Sequence, residues 1–257
     1  MLLIPVVTFE FPLNERVRTL LRLEDLFCKI LPCIKESESH HHHSAMLNLF
    51  QIIDVMDRGD LKNDLMHDLE KHRALLAFFR SNPKIDKAKL NDTLDLVNAQ
   101  LDQLKSVPPK PVQELKQNDW LMAIKQRGII PGGLCEFDAP SYHFWLNQSE
   151  SKRREDLHGW LSHILPVYQA LELILNLLRG SGESESLMAD NGSYQQMLAS
   201  SKQVQMARIE VDKALNCYPE ISANKYAIHI RFMRINDQRQ ASACQQEVHF
   251  KLTLASL

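Results

Sequence analysis

The chain has 257 residues, 44% hydrophobic and 24% charged, the balance expected of a soluble globular protein with room for one large domain or two modest ones. A formal net charge of -2 excludes a global basic field for nucleic acid, so any anion-binding surface has to be a local patch. Five cysteines (Cys28, Cys33, Cys135, Cys217, Cys244) form no C-x-x-C pair, which argues against a zinc ribbon or a redox motif and for reduced thiols in the cytosol.

The opening MLLIPVVTFEF is too short for a signal peptide or a membrane span, and Pro5 and Glu10 interrupt it. Residues 4–11 alternate, with Val7, Phe9 and Phe11 against Val6, Thr8 and Glu10, which is the period of a strand. Pro12 ends it. Asn14 is a candidate N-cap for a helix whose apolar face carries Leu13, Val17, Leu20, Leu21, Phe27 and Leu31, with Arg18, Arg22, Asp25 and Lys29 away from most of that face. The run His40–His43 reads as a solvated loop, because a structured metal site needs ligands at helix or hairpin spacing and a supporting shell. Helices follow at roughly 44–57, 61–80 and 86–105, punctuated by Gly59 and Asn82-Pro83, and Leu90, Leu94, Val97, Leu101 and Leu104 make a regular stripe. The rigid joint Val107-Pro-Pro-Lys-Pro111 precedes a helix at roughly 112–127.

Gly128, Pro131, Gly132 and Gly133 then break the helical pattern. The segment lacks the Lys-Ser/Thr of a phosphate loop, so it reads as a backbone turn. Leu134–Phe137 and Tyr142–Leu146 read as short extended pieces. A long helix covers about 150–179, kinked at Pro166 and stopped by Gly180. Its second half (Leu171, Leu173, Ile174, Leu175, Leu177, Leu178) is apolar on nearly all sides, which calls for burial in the protein or at an interface. Trp120, Trp145 and Trp160 are expected as core or interface anchors. Alternation returns at 204–212, 225–233 and 247–254, the mark of antiparallel strands with one wet face. The N-x-S sequons at Asn147 and Asn191 are chance without a signal peptide. The expected fold class is α+β: a helical domain (12–127 and 149–182) and an antiparallel β-strand domain (1–11, 128–148 and 183–257), discontinuous in sequence.

No G-x-S-x-G, H-E-x-x-H or G-x-G-x-x-G motif occurs, so no catalytic residue, cofactor or metal is assigned. An enzyme would need a site assembled only in space, and that is the competing reading. The neutral charge balance and the lack of a stacking or helix-turn-helix signature disfavour nucleic acid. Arg18 and Arg22 are an i,i+4 like-charge pair that Glu15 and Asp25 can neutralise, so they form a balanced solvent face. Lys225, His229 and Arg231 share one strand face, a cationic stripe or simply the wet side of a sheet.

Four segments in order resemble the ZapD family. They are Phe9-Glu-Phe-Pro-Leu-Asn-Glu-Arg-Val-Arg-Thr-Leu-Leu-Arg-Leu-Glu24, Asp54-Val-Met-Asp-Arg-Gly59, Ile130-Pro-Gly-Gly-Leu-Cys-Glu-Phe-Asp-Ala-Pro140 with His143 and Trp145-Leu146, and Tyr218-Pro-Glu-Ile-Ser222 with Ile230-Arg-Phe-Met233. The resemblance implies a non-enzymatic, cytoplasmic cell division factor at mid-cell. It implies a homodimer that binds the C-terminal tail of the tubulin-like protein FtsZ and bundles its filaments, with no nucleic acid and no membrane insertion. Carried over by motif position, the tail-binding residues are Arg22, Arg58, His143 and Arg231, with Arg18, Arg127 and Lys225 as weaker candidates. One position departs: where the family can carry an arginine, this chain has Trp120, and Lys116, Lys125 or Arg127 would have to stand in.

Overall fold

The computed structural model describes residues 5–81, 86–198 and 203–256. Among them the chain folds as α+β and divides into two compact units: Met1–Leu21 with Leu175–Leu257, and Arg22–Ile174. Both divisions fall inside a helix, α1 (Glu15–Lys35) and α9 (Leu165–Arg179).

The first unit holds the strands: β1 (Val6–Pro12), β2 (Ser184–Ala189), β3 (Ser193–Met197), β4 (Met206–Asp212), β5 (Tyr218–Ala223), β6 (Ala227–Ile235), β7 (Ala241–Ala243) and β8 (Val248–Ala255). One sheet runs β1-β4-β8-β2; the other runs β3-β6-β5, with β7 also on β6. All pairings are antiparallel. Alternation decides which faces meet. Ile209 and Val211 of β4, Phe250 and Leu252 of β8, and Ile228, Ile230 and Phe232 of β6 form one buried cluster. Across it Phe232 and Phe250 lie 5.1 Å apart by ring centroid. The polar residues between them line the outer faces, as expected of half-buried strands. On the outer face of the first sheet Glu10 takes two bonds from Arg179 at the end of α9, at 2.8 and 2.7 Å, which gives the family-like Phe9-Glu10-Phe11 a structural task.

The second unit is helical: most of α1, then α2 (Ser39–Met56), α3 (Leu61–Phe78), α4 (Lys87–Ser106), α5 (Gln113–Lys116), α6 (Asp119–Gly128), α7 (Pro140–Leu146), α8 (Glu150–Ser162) and the start of α9. Caps fix several starts. Asn14 Oδ1 accepts from Val17 N at 2.8 Å, Asp86 from Ala88 and Lys89, Asn118 from Leu121, and Ser149 from Lys152. The stripe Leu90, Leu94, Val97, Leu101 and Leu104 is buried, as are Leu65 and Leu69 on the facing α3. Lys62 at the start of α3 is buried and donates to the carbonyl of Val107, the C-cap of α4, where a cation is favoured.

Several expectations change. Leu134–Phe137 and Tyr142–Leu146 are not extended: the first lies in turns and the second belongs to α7. Pro140 opens that helix at a position where its missing N–H costs nothing, and 128–148 therefore groups with the helices. The 112–127 helix is two, parted at Gln117-Asn118. The 150–179 helix is also two, bent by 64° with Pro166 in the opening turn of α9 rather than at a kink. Leu171, Ile174, Leu175 and Leu178 are buried within the chain, which accounts for that stretch without an interface. Lys225 lies in the turn before β6, two residues short of the strand. The breaker Asn82-Pro83 lies outside the described residues. Strands β2, β3, β5 and β7 were not expected. Asn191-Gly192, both at positive φ, marks the two-residue hairpin between β2 and β3. No single helix among the described residues is long and apolar enough to cross a membrane.

Candidate partner-binding site

The histidine run is not a loop. Its four residues lie in the first turns of α2, so they point in different directions around the helix and meet different fates. His40 is exposed and His41 half-buried, with the two rings 4.1 Å apart. His42 is buried and accepts from Arg153 of α8. His43 Nδ1 lies 2.8 Å from the hydroxyl of Tyr142, a fully buried side chain on α7. Burial holds His43 below its usual pKa and pushes the Tyr142 phenol up, so the pair is neutral near pH 7. Among the described residues no group of three or more His, Cys, Asp or Glu side chains is arranged to hold a metal ion.

Arg153 and its neighbour Arg154 close the open end of α1. Arg154 donates through Nε to Ile34 O at 3.0 Å and through its terminal nitrogen to Lys35 O at 3.0 Å, while Glu150 pairs with it. Arg153 reaches Ser37 O at 2.6 Å. The last carbonyls of a helix have no partner within it, and cationic donors satisfy them best. Sequence reading missed this pair, since nothing local distinguishes Arg153-Arg154 from any charged helix start.

The three tryptophans do gather. Trp120, Trp145 and Trp160 lie 5.9–6.0 Å apart by centroid, and Tyr142 stacks on Trp145 at 5.8 Å. Two of the indole nitrogens are engaged: Trp120 Nε1 donates to Ser141 Oγ at 3.2 Å and Trp145 Nε1 to Asp156 at 3.0 Å. Trp145 is buried, whereas Trp120 and Trp160 are half-exposed. Beside this cluster α7 carries exposed Phe144, and the glycine turn and the segment after it carry exposed Ile129, Ile130 and Phe137. Gly133 is needed there, because a Cβ would meet Arg127 O at 2.3 Å.

The candidate cations fall on both units. In the β-strand unit Arg231 lies on the outer face of β6, 60% exposed, and donates to Glu220 of β5 at 2.9 Å. The register Glu220↔Arg231 makes that pair a direct cross-strand neighbour. Lys225 stands over the ring of Tyr226 at 4.7 Å, and His229 contacts Gln195 at 2.9 Å. Arg18 pairs with Glu15 at 3.0 Å. In the helical unit Arg22 is exposed on α1, Arg58 is exposed in the turn after α2, and Arg127 is exposed at the end of α6. His143 on α7 is half-exposed, with Glu136 at 3.7 Å and Asn147 at 3.3 Å.

Near Arg58 in sequence, at the end of α2, cations and aspartates pair off. Lys116 pairs with Asp57 at 2.7 Å and Lys125 with Asp54 at 2.5 Å, which ties α5 and α6 to the end of α2. The hydrogen bond from Lys116, aided by the charges of Lys110 and Lys125, holds the Asp57 carboxyl below its usual range. A cleft of about 270 Å³, lined by Asp57, Gly59, Asp60, Pro109 and Lys110 among others, opens beside it. Lys116 and Lys125 are thus committed to aspartates, and Arg127 is the cation of α6 left facing solvent.

Comparison with known proteins decides what such a surface belongs to. The family model described as "ZapD: Cell division protein" matches residues 21–231. A cell division protein ZapD of Aromatoleum aromaticum is 43% identical over 253 residues, covering 98% of both chains. That of Dechloromonas aromatica is 44% identical over 98% of this chain and 100% of its own, and that of Nitrosomonas europaea 40% identical over 100% and 97%. The chain belongs to the ZapD family of cell division proteins.

The four ZapD-like segments occupy defined places. Phe9–Glu24 makes β1 and the start of α1, Asp54–Gly59 the end of α2 and its turn, Ile130–Pro140 the glycine turn leading into α7, and Tyr218–Ser222 with Ile230–Met233 the paired β5 and β6. Trp120, where the resemblance leads to the expectation of an arginine, has joined the aromatic cluster and offers no charge.

Proposed function

We propose that this division protein binds the C-terminal tail of FtsZ through Arg22, Arg58, His143 and Arg231, with Arg18, Arg127 and Lys225 in supporting roles, and that its homodimer cross-links FtsZ filaments at mid-cell. The observation that carries the reading is the set of solvent-facing cations on ZapD-like segments of a chain whose net charge is -2. Exposed arginines on a near-neutral protein make local attraction for a carboxylate-bearing peptide, which a guanidinium grips with two parallel hydrogen bonds. Two tail sites per dimer bridge two filaments, and the many tails along a filament multiply a modest single-site affinity. Exposed Ile129, Ile130, Phe137 and Phe144 supply apolar surface suited to self-association.

Sedimentation with polymerised FtsZ tests the reading: the protein pellets with bundled filaments and needs no nucleotide or metal of its own. Light scattering at micromolar concentration returns twice 29.7 kDa. Arg22→Glu and Arg231→Glu, each taken singly, weaken calorimetric binding of the tail peptide at least tenfold while circular dichroism stays unchanged. Full-strength binding by both folded variants removes these residues from the site. Failure to bind or bundle FtsZ at all returns the enzyme reading to the front.

A further inference from the structure

Arg153 is a buried cation held by neutral groups. It is 6% exposed, and among the described residues no carboxylate pairs with it. Its Nε donates to Nδ1 of His42 at 2.8 Å. Its terminal nitrogens donate to the carbonyls of Leu146 at 3.0 Å, of Gln148, and of Ser37 at 2.6 Å. A guanidinium donates through every nitrogen, accepts through none, and keeps its proton in proteins. His42 Nδ1 must therefore present a lone pair. The ring proton sits on Nε2, which faces Ile34 O at 3.4 Å. Contact with Arg153 thus imposes one neutral tautomer on His42.

We propose that His42 is an acid-operated latch: protonation of Nδ1 breaks its bond to Arg153 and loosens the hold of the start of α8 on the α1–α2 junction, leaving it to Arg154. Protonation turns the acceptor into a donor aimed at another donor, and sets a second positive charge against the guanidinium in a buried place. The only relief comes from the backbone of Ile34 and Glu36, and burial outweighs it. From α8 the imidazole faces Arg153 and, further off, Arg154, whose own carboxylate partner is Glu150. From the end of α1 and the turn after it come Ile34 and Glu36, each through its backbone, with the Lys35 and Glu36 side chains exposed. At the N-cap of α2 stands Glu38, exposed, and from α2 itself come the flanking His41 and His43, the latter engaged with Tyr142 of α7. Among the described residues no acidic side chain bonds to the ring.

Burial chiefly, with the charge of Arg153, already holds His42 below the ordinary 6.5, against an opposing pull from Ile34. The sign follows. A histidine held neutral in the closed state contributes its stabilisation fully above about pH 6.5 and loses it as pH falls through the depressed value. Within that window the open fraction rises by up to about tenfold per pH unit. The carbonyls released include Leu146 and Gln148 at the end of α7, so opening loosens α7 as well as the junction. None of this depends on what the protein binds.

Hydrogen exchange of the full-length chain, corrected for intrinsic rates, tests the latch between pH 7.5 and 5.5. Segments 36–43 and 146–153 lose about tenfold in protection on acidification, while the α3–α4 hairpin does not. His42→Asn places an Oδ1 that accepts from Arg153 and never titrates; this variant keeps the protection seen at pH 7.5 and loses most of its pH dependence. Flat protection in the native chain overturns the proposal, as does an undiminished tenfold loss in the variant. If His42→Asn does not fold, ring-nitrogen NMR of the native chain decides. An unprotonated Nδ1 at pH 7.5 that gains its proton in step with the exchange upholds the latch. A protonated Nδ1 at pH 7.5, or titration without loss of protection, sinks it.

Discussion

On the outer face of β6, Arg231 reaches across to Glu220 of β5 at 2.9 Å, so the arginine proposed to grip a partner already has a carboxylate of its own. Exposed pairs of this kind are worth little, typically under about 1 kcal/mol, because water and salt screen them. Glu220 is therefore a competitor that an incoming carboxylate can displace at small cost. Glu220→Gln keeps the side-chain shape, removes the competing charge, and should tighten tail-peptide binding about two- to fivefold by calorimetry, within the range one exposed ion pair spans. Unchanged or weaker binding would mean that Glu220 orients Arg231 for its partner instead of competing for it. The same scale separates His42 from His43. Adjacent in sequence and both held neutral by burial, they differ in what faces them: a cation that only donates, and a phenol that can donate or accept.

At the scale of elements, the tightest constraint in the β-strand unit is the β2–β3 hairpin. Gly192 has φ +68°, and a Cβ there would meet Cys244 O at 2.4 Å and Cys244 Cβ at 2.9 Å. Its carbonyl also accepts from Phe232 N at 2.7 Å. Neither the backbone angle nor the neighbouring strand can yield cheaply. Gly192→Ala should cost about 2 kcal/mol or more from the left-handed backbone and the clash together, lowering the thermal midpoint by roughly 4–8 °C. Gly59, in the turn after α2, has open space where a Cβ would go. Gly59→Ala should stay within about 0.5 kcal/mol of the parent chain. Calorimetric melting of both variants checks the contrast, and equal losses at the two glycines would show that the hairpin carries no special strain. Nearby, burial and then Cys244 push the Cys217 thiol up to about 11, which keeps it protonated near neutral pH.

For the whole molecule, the decisive quantity is charge that is local against a total of -2. Attraction between the exposed arginines and a tail is screened over about 8–10 Å at ordinary ionic strength. If the proposed function holds, bundling of FtsZ should therefore weaken steadily as salt rises, and turbidity or sedimentation between about 50 and 500 mM salt, where the screening length falls roughly threefold, should show the decline. Salt-insensitive bundling would shift the weight of the interaction to apolar surface such as that around Phe137 and Phe144.

What the sequence by itself determined is what depends on neighbours along the chain. Alternation at Val7-Phe9-Phe11 and at Ile228-Ile230-Phe232 located strands because side chains on a strand change face at every step. The stripe Leu90 to Leu104 located α4, Asn14 the start of α1, and the four ordered segments the family. Asn191-Gly192 was equally local, a hairpin signal lying inside a sequon. The tertiary structure alone decided matters set by residues far apart in the chain. Arg153, 111 residues from His42, turned a histidine run into helix and core. Packing among Trp120, Tyr142, Trp145 and Trp160 made helix of an aromatic segment whose short apolar run suits either state. Pairing of β5 with β6 supplied Arg231 with its anion. Local pattern records the period of a chain, whereas the charge and burial of a side chain are set by whatever distant segment folds against it.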